Sequence, residues 1–353
     1  MWRNCEHFFQ RPQSLKFICA MVLLLAACLQ ARGDAALFLE EPFGKFGNIN
    51  PTGHAAIWLD RVCAASPTEL RLCQPGEMGV VISRYHRIGG YDWIAIPLIP
   101  YLYAVDDPDD VPNFMNTELE AQLRDEYRQK HLMDLVPDDP KRDTPGGDWI
   151  QLIGASYDRK IYGYQIETSQ EQDRALIEVL NGSDNKSHFN LFFNNCANFA
   201  QKIMNLYYPH AVRRNFIADA GLMTPKQAAR SLVGYSKHHR DLKFTMFVIP
   251  QVQGTVHHSD SVDGIIESIV KSKKYLVPIA ALHPFIAGGL AAVYLVDGRF
   301  HPDKNAPVFN AVQESEPGDI AANEQLISTE SGRSTSADSV PASTESSTTT
   351  RTP

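Results

Sequence analysis

Residues 188–199 read His188-Phe189-Asn190-Leu191-Phe192-Phe193-Asn194-Asn195-Cys196-Ala197-Asn198-Phe199, and the change of pattern inside this stretch sets the expected fold. The first half, HFNLFF, is a short β-like or extended lead. From Cys196 onward Phe199, Ala200, Ile203, Leu206 and Tyr207 recur at helical spacing, and Pro209 ends the run. Cys196 is therefore expected in the first helical turn, on the stripe that faces the protein. Free N–H groups and the positive end of the helix dipole favour thiolate over thiol there, and the thiolate is the nucleophile. A small apolar core filler is the competing use of such a residue.

Working outward from this stretch, Ser169 to Leu180 has the pattern of an amphipathic helix with Ala175, Ile177 and Leu180 inward. Before it, Asp148 to Ile166 reads as two strands, WIQLIGAS and KIYGYQIET, with a turn near Asp158. Thr117-x-x-Glu120 is a capping box opening a polar helix to about Leu135. Gly79 to Ile88 and Tyr91 to Leu98 read as an antiparallel hairpin across Gly89-Gly90. His54 to Leu59 (HAAIWL) is a short strand after a turn-rich run. Downstream, Thr224-Pro225 caps a helix to about Val233, and Lys243 to Pro250 is a late strand. The plan is α+β: an antiparallel sheet packed against a helix that carries the cysteine at its N-terminus.

The chain has 353 residues and a formal net charge of −8. From residue 312 onward there are seven acids and two bases, so the body is near neutral and has no basic stripe for phosphates. Nucleic acid is excluded as a partner on that ground. Residues 1–36 have the make-up of a signal peptide, with Arg3, Arg11 and Lys16 ahead of the apolar run Phe17 to Ala27. Two processing readings stay open. Leu25-Ala26-Ala27-Cys28 resembles a bacterial lipobox, in which Cys28 becomes the lipidated first residue; Gly33-Asp34-Ala35 suits ordinary signal peptidase. Both place the mature chain outside the cytoplasm, in the periplasm or cell envelope.

Export makes Cys63 and Cys73, ten apart around Pro67, the expected disulfide and leaves Cys196 as the odd thiol. The body is expected over 37–260 and a membrane-associated segment over 261–300. Tyr275 to Val296 within that segment is long and apolar enough for a span, but it contains Pro278, His283 and Pro284. A span and a buried or surface-lying helical hairpin both remain open. Residues 301–353 are expected to be a disordered tail, since 328–353 hold fifteen Ser or Thr and no aromatic residue.

A thiolate works best beside an imidazole that stabilises it and later protonates the leaving group. His54 stands out among the histidines because it starts an apolar strand directly after a glycine. The adjacent pairs His238-His239 and His257-His258 point apart in an extended chain, and no His-x-x-x-His helix or Cys-x-x-Cys pair occurs, so no metal is expected. No Gly-rich phosphate loop or Gly-x-Ser-x-Gly elbow is present, and no cofactor is expected.

His54-Ala55-Ala56-Ile57-Trp58-Leu59, followed much later by Phe192 to Phe199, resembles the circularly permuted NlpC-type papain fold. That group includes the lecithin:retinol acyltransferase-like proteins and the bacterial Lnb-type periplasmic domains. In it a His-x-x-Ile-aromatic-Leu strand comes first and an Asn-Cys-x-x-Phe helix start comes last. The resemblance covers roughly residues 45–210 as a plan, through about a dozen matched residues. It implies a permuted papain-like fold with Cys196 as nucleophile and His54 as general base and acid. A third polar group on the following strand would orient the imidazole. His86 is the favoured candidate and Ser83 the alternative, with Tyr85 behind them. The backbone N–H of Cys196, with the side chain of Asn194 or Asn195, would hold the oxyanion. The implied activity is acyl hydrolysis or transfer through a thioester, on amide bonds of wall peptides or on acyl groups of lipids and lipoproteins; the lipobox and Tyr275 to Val296 place the site near a membrane and favour the lipid or lipoprotein acyl group. A peptidoglycan peptide amidase and a non-catalytic membrane-tethered scaffold are the alternatives.

Overall fold

The computed structural model describes residues 32–44, 51–86, 88–142, 145, 148–187 and 189–314. Its strands are β1 (Arg32–Glu40), β2 (His54–Leu59), β3 (Val62–Ser66), β4 (Glu69–Leu72), β5 (Val80–Ser83), β6 (Ile94–Pro97), β7 (Ile161–Ser169) and β8 (Thr245–Ile249). Six of them form one sheet in the order β6-β5-β2-β1-β7-β8, and every neighbouring pair is antiparallel. β3 and β4 make a separate ribbon, closed by the Cys63–Cys73 disulfide.

The sheet is a middle layer because both faces of its central strands are apolar. Along β1, Ala35, Leu37 and Leu39 enter one cluster while Ala36 and Phe38 enter the other, and all five are fully buried. The second cluster is covered by α1 (Leu98–Tyr103), α2 (Thr117–Tyr127) and α3 (Ala155–Asp158), through Tyr101, Leu102, Tyr127 and Tyr157. The first is covered by α4 (Gln170–Asn181), α5 (Cys196–Tyr207) and α6 (Pro225–Ser236), through Leu176, Phe199, Ile203 and Leu232. The fold is α+β, with the cysteine helix lying on the sheet.

Several expectations are corrected by packing. WIQLIGAS is not a strand: Trp149–Gln151 is a 3-10 turn, and α3 follows. Its buried residues Trp149, Leu152 and Ile153 have helical rather than alternate spacing, and Gly154, at φ 68, ends the run. α2 is capped by Asn116, whose side chain accepts from Leu119 N at 2.8 Å, so Thr117 is the first helical residue rather than the cap. The regular helix stops at Tyr127 and passes into a π turn, Arg128–Leu132. On α4, Leu176 points inward and Ala175 is exposed, while Leu206 on α5 is exposed. The β5–β6 hairpin pairs Val80 with Pro97 and Ser83 with Ile94, and its strands are shorter than expected. Within HFNLFF, where His188 lies outside the described residues, Leu191, Phe192 and Phe193 form an exposed turn closed by an Asn190–Asn194 bridge rather than an extended lead.

Both domain limits also move. β1 begins at Arg32, so the last residues of the expected signal segment belong to the sheet, where Ala35 pairs with Leu59 and Ile166. A cut after Ala35 would remove Arg32–Ala35 from a central strand, whereas a cut before Cys28 leaves it whole. Cys28 itself lies outside the described residues. At the other end, the chain expected to be tail from 301 runs beside β8. Val248 N donates to Pro307 O at 2.8 Å, and Phe309 packs on Trp58 and Phe247 at 5.3 and 4.9 Å. Residues 315–353 lie outside the described residues.

Candidate active site

The start of α5 is fixed by reciprocal capping. Asn195 Oδ1 accepts from Asn198 N at 2.9 Å, and Asn195 N donates to Asn198 Oδ1 at 3.3 Å. Asn195 Nδ2 donates to Leu191 O at 2.8 Å and Met223 O at 3.0 Å, tying the preceding turn and a distant loop to the same point. Cys196 is thereby placed at the first helical position, buried but on the wall of a cavity. It is the free cysteine among the described residues.

The N–H of Ala55, the peptide that follows His54, and the N–H groups of Ala197 and Cys196 lie near the sulfur and favour its anion. Burial outweighs these donors and pushes the thiol up to about 11; the neighbouring Glu40 carboxylate adds to the rise. The expectation that the helix start would favour thiolate is corrected. Desolvation penalises the anion more than the partial charges of one helix end reward it.

His54 is the first residue of β2, and its side chain lines the same cavity. Its Nε2 lies 2.9 Å from Ser83 Oγ. Ser83 has one hydroxyl proton, which it donates to Ala55 O at 2.7 Å, so its oxygen is the acceptor for a proton on His54 Nε2. The assigned tautomer leaves the lone pair on Nδ1. Tyr85 stacks on the imidazole at 5.1 Å between centroids. Burial, aided by the Arg159 charge, holds the imidazole well below its usual pKa, so it rests neutral.

Behind the imidazole lies a buried polar chain. Tyr85 is hydrogen-bonded to Tyr101, Tyr101 Oη donates to Glu40 Oε1, and Glu40 pairs with Arg159 at 2.9 Å. Burial raises both the Glu40 carboxyl and the two phenols.

Ser83, the alternative third residue, is the one that meets His54. His86 is 41% exposed, 3.9 Å from Asp148 Oδ2, and tilted against Phe189 at 5.5 Å. It stands on the cavity wall and has no contact with the His54 ring among those found. Ser83 ends β5, and the pairing of that strand with β2 sets it beside His54, whereas His86 lies in a bend beyond the strand. The oxyanion assignment is corrected as well. Both hydrogens of the Asn195 amide are engaged by carbonyls. Asn194 Oδ1 accepts from Arg84 at 2.5 Å, and its Nδ2 donates to Ser187 at 2.5 Å. Backbone N–H groups at the head of α5 are the donors left near the sulfur.

Arg84 was not legible as a site residue. It pairs with Asp92 at 2.6 Å, binds Asn194 and lies over the Phe199 ring at 5.4 Å, locking the chain that leads into Cys196. The one available signal was a charged residue directly after Ser83 in an otherwise apolar strand. The cavity itself encloses about 630 Å³ and is lined by Leu191, Phe192, Leu222, Met223 and Ile265 around the polar pair. Apolar walls with a few convergent polar groups are the make-up of a small-molecule site. Among the described residues, Cys63, Cys73 and Glu77 are the one grouping with metal-ligand types, and its two sulfurs are bonded to each other.

The chain matches no protein-family model, no curated protein and no solved structure.

Proposed function

We propose that the protein is a cell-envelope thiol hydrolase or acyltransferase with a permuted papain-like fold, in which Cys196 and His54 act on a carbonyl. The observation that carries this reading is that two residues 142 positions apart line one cavity, with Ser83 holding the imidazole in the tautomer a base requires. The chain order, histidine strand before cysteine helix, supports the permuted plan.

The reaction starts from a neutral pair. As Cys196 Sγ attacks the carbonyl carbon, its proton passes to His54 Nδ1, and the carbonyl oxygen takes the negative charge near the α5 N–H groups. The tetrahedral species collapses, the leaving group departs with the proton from His54, and a thioester remains on Cys196. Water or an amine then attacks the thioester, His54 removes its proton, and the departing sulfur is reprotonated. The apolar walls favour an acyl chain of a lipid or lipoprotein over a wall peptide. Membrane association belongs to this reading.

Incubation with an activated medium-chain acyl ester should add one acyl mass to the intact protein, mapped to Cys196 and absent from Cys196→Ala. An adduct that persists in that variant removes the proposal. The raised thiol favours, as second reading, a non-catalytic scaffold of the same fold. It predicts no acyl adduct at all.

A further inference from the structure

Beyond α6, α7 (Ile265–Lys271) leads into α8 (Lys273–Leu282) and α9 (Pro284–Val293), which pack on each other and leave most of their apolar surface exposed among the described residues. α8 buries none of its residues and α9 buries Ala287 alone. Phe285 is 95% exposed and Val296 87%, and Leu282, Val277 and Ile286 are more than half exposed. Leu276 and Ile279 of α8 and Ala287, Leu290 and Ala291 of α9 form the less exposed stripe where the two helices meet; the rest of both surfaces is apolar as well and lies exposed. A protein groove covers one stripe of a helix; helices apolar on every side match a medium that surrounds them, which is hydrocarbon.

The dimensions are those of one leaflet. Each helix has 10 residues, or roughly 15 Å, about half of a bilayer's hydrocarbon core. No described helix is long and apolar enough to cross a membrane. The chain reverses at His283-Pro284 and comes back to where it left. Gly298 and Phe300 line a small cavity with Lys226 and Glu267, the buried ion pair that pins α7 to α6. Lys273 and Lys274 stand at the entry and Arg299 at the exit, and no acid occurs from Lys273 to Val296. Lys273 and Lys274 make the entry cationic, while Asp297 stands beside Arg299 in the sequence at the exit; the cationic entry suits an anionic headgroup layer.

We propose that Lys273–Val296 is a hairpin that inserts into a single leaflet of an anionic lipid bilayer, entering and leaving on the same side. The cavity mouth is tied to its base. Ile265, the first residue of α7, lines the cavity, and Ile266 N donates to Ala218 O in the loop that also carries exposed Phe216 and Ile217 and the lining residues Leu222 and Met223. An inserted hairpin therefore holds an apolar-rimmed opening at the lipid surface. This deepens the membrane association in the proposed function and is separable from its chemistry, since a chain without the thiol inserts equally.

The test reconstitutes the full chain in vesicles of phosphatidylcholine and phosphatidylglycerol that carry a phospholipid with a photoactivatable diazirine at mid-chain. Adducts are mapped by peptide mass spectrometry. They are expected on Leu282 to Ile286, a region spared by a water-soluble carbene reagent. Phe285→Asp with Ile286→Asp should lower hairpin adducts at least tenfold; both side chains are exposed, so the body keeps its fold. Cys196→Ala should leave the pattern unchanged. Aqueous labelling of the tip without lipid adducts overturns the proposal. So does tryptic cleavage at Lys274 and Arg299 from opposite sides of the vesicle, which would mean a span.

Discussion

Replacing Ser83 by alanine tests the site at its most exposed assumption. Ser83 is fully buried, and its hydroxyl joins His54 Nε2 to Ala55 O at 2.9 and 2.7 Å. Removing it leaves a buried N–H and a buried carbonyl without that partner. Each such loss is worth about 1–3 kcal/mol, so the variant should be about 2–6 kcal/mol less stable in urea denaturation. The imidazole can recover a hydrogen bond by moving its proton to Nδ1 or by turning, and either change removes the base from Nδ1. General-base assistance typically contributes about 10²–10⁴-fold, so acylation of Cys196 by an activated ester at pH 7 should fall by about 10²-fold. Alkylation of Cys196 above pH 10, where solvent hydroxide removes the proton, should change by less than about threefold, because it bypasses the imidazole. The ratio of the two rates isolates the tautomer from any general loosening. Ser83→Thr keeps the hydroxyl and should retain most of that ratio. If acylation and alkylation fall together in Ser83→Ala, the Ser83–His54 contact does not govern proton movement and the reasoning fails.

Three further outcomes follow from the same structure. The thiol is pushed up to about 11, so alkylation of Cys196 by a neutral reagent should rise about tenfold per pH unit to beyond pH 9; a plateau below pH 8 would mean a resting thiolate–imidazolium pair instead. Burial raises the Asp60 carboxyl from 3.8 to about 7, so protonated Asp60 is favoured in the folded state and its contribution is lost as pH rises through about 7. Asp60→Asn should therefore change little below pH 4 and stabilise by up to about 4 kcal/mol above pH 7; equal urea midpoints for variant and parent at pH 8 would contradict this. Cys63 and Cys73 close a loop with a sequence separation of 10, so Cys63→Ser with Cys73→Ser should lower stability by about 2–3 kcal/mol, and an unchanged denaturation midpoint would count against the bond.

What the sequence alone determined is what depends on neighbours along the chain. The start of α5 follows from Asn195-x-x-Asn198 and a 3.6-residue apolar period, both of which act within one or two turns. The cap at Thr224, the helix after Ser169 and the strand at His54–Leu59 were legible for the same reason. His54 and Cys196 were identifiable as chemistry-bearing residues because imidazole and thiol are unusual choices at those local positions. Tertiary structure decided the rest. Whether Ser83 or His86 reaches the imidazole depends on the register of β5 against β2, fixed by the pairing of Ile57 with Ile82. WIQLIGAS turned helical although its length suits a strand: Trp149, Leu152 and Ile153 already have helical spacing in the sequence, and their packing together on the second face of the sheet decided between the two periods. The Cys196 thiol was expected to be lowered by its helix and is instead raised by burial. Desolvation sums over everything packed around an atom, and most of what surrounds that sulfur comes from distant parts of the chain.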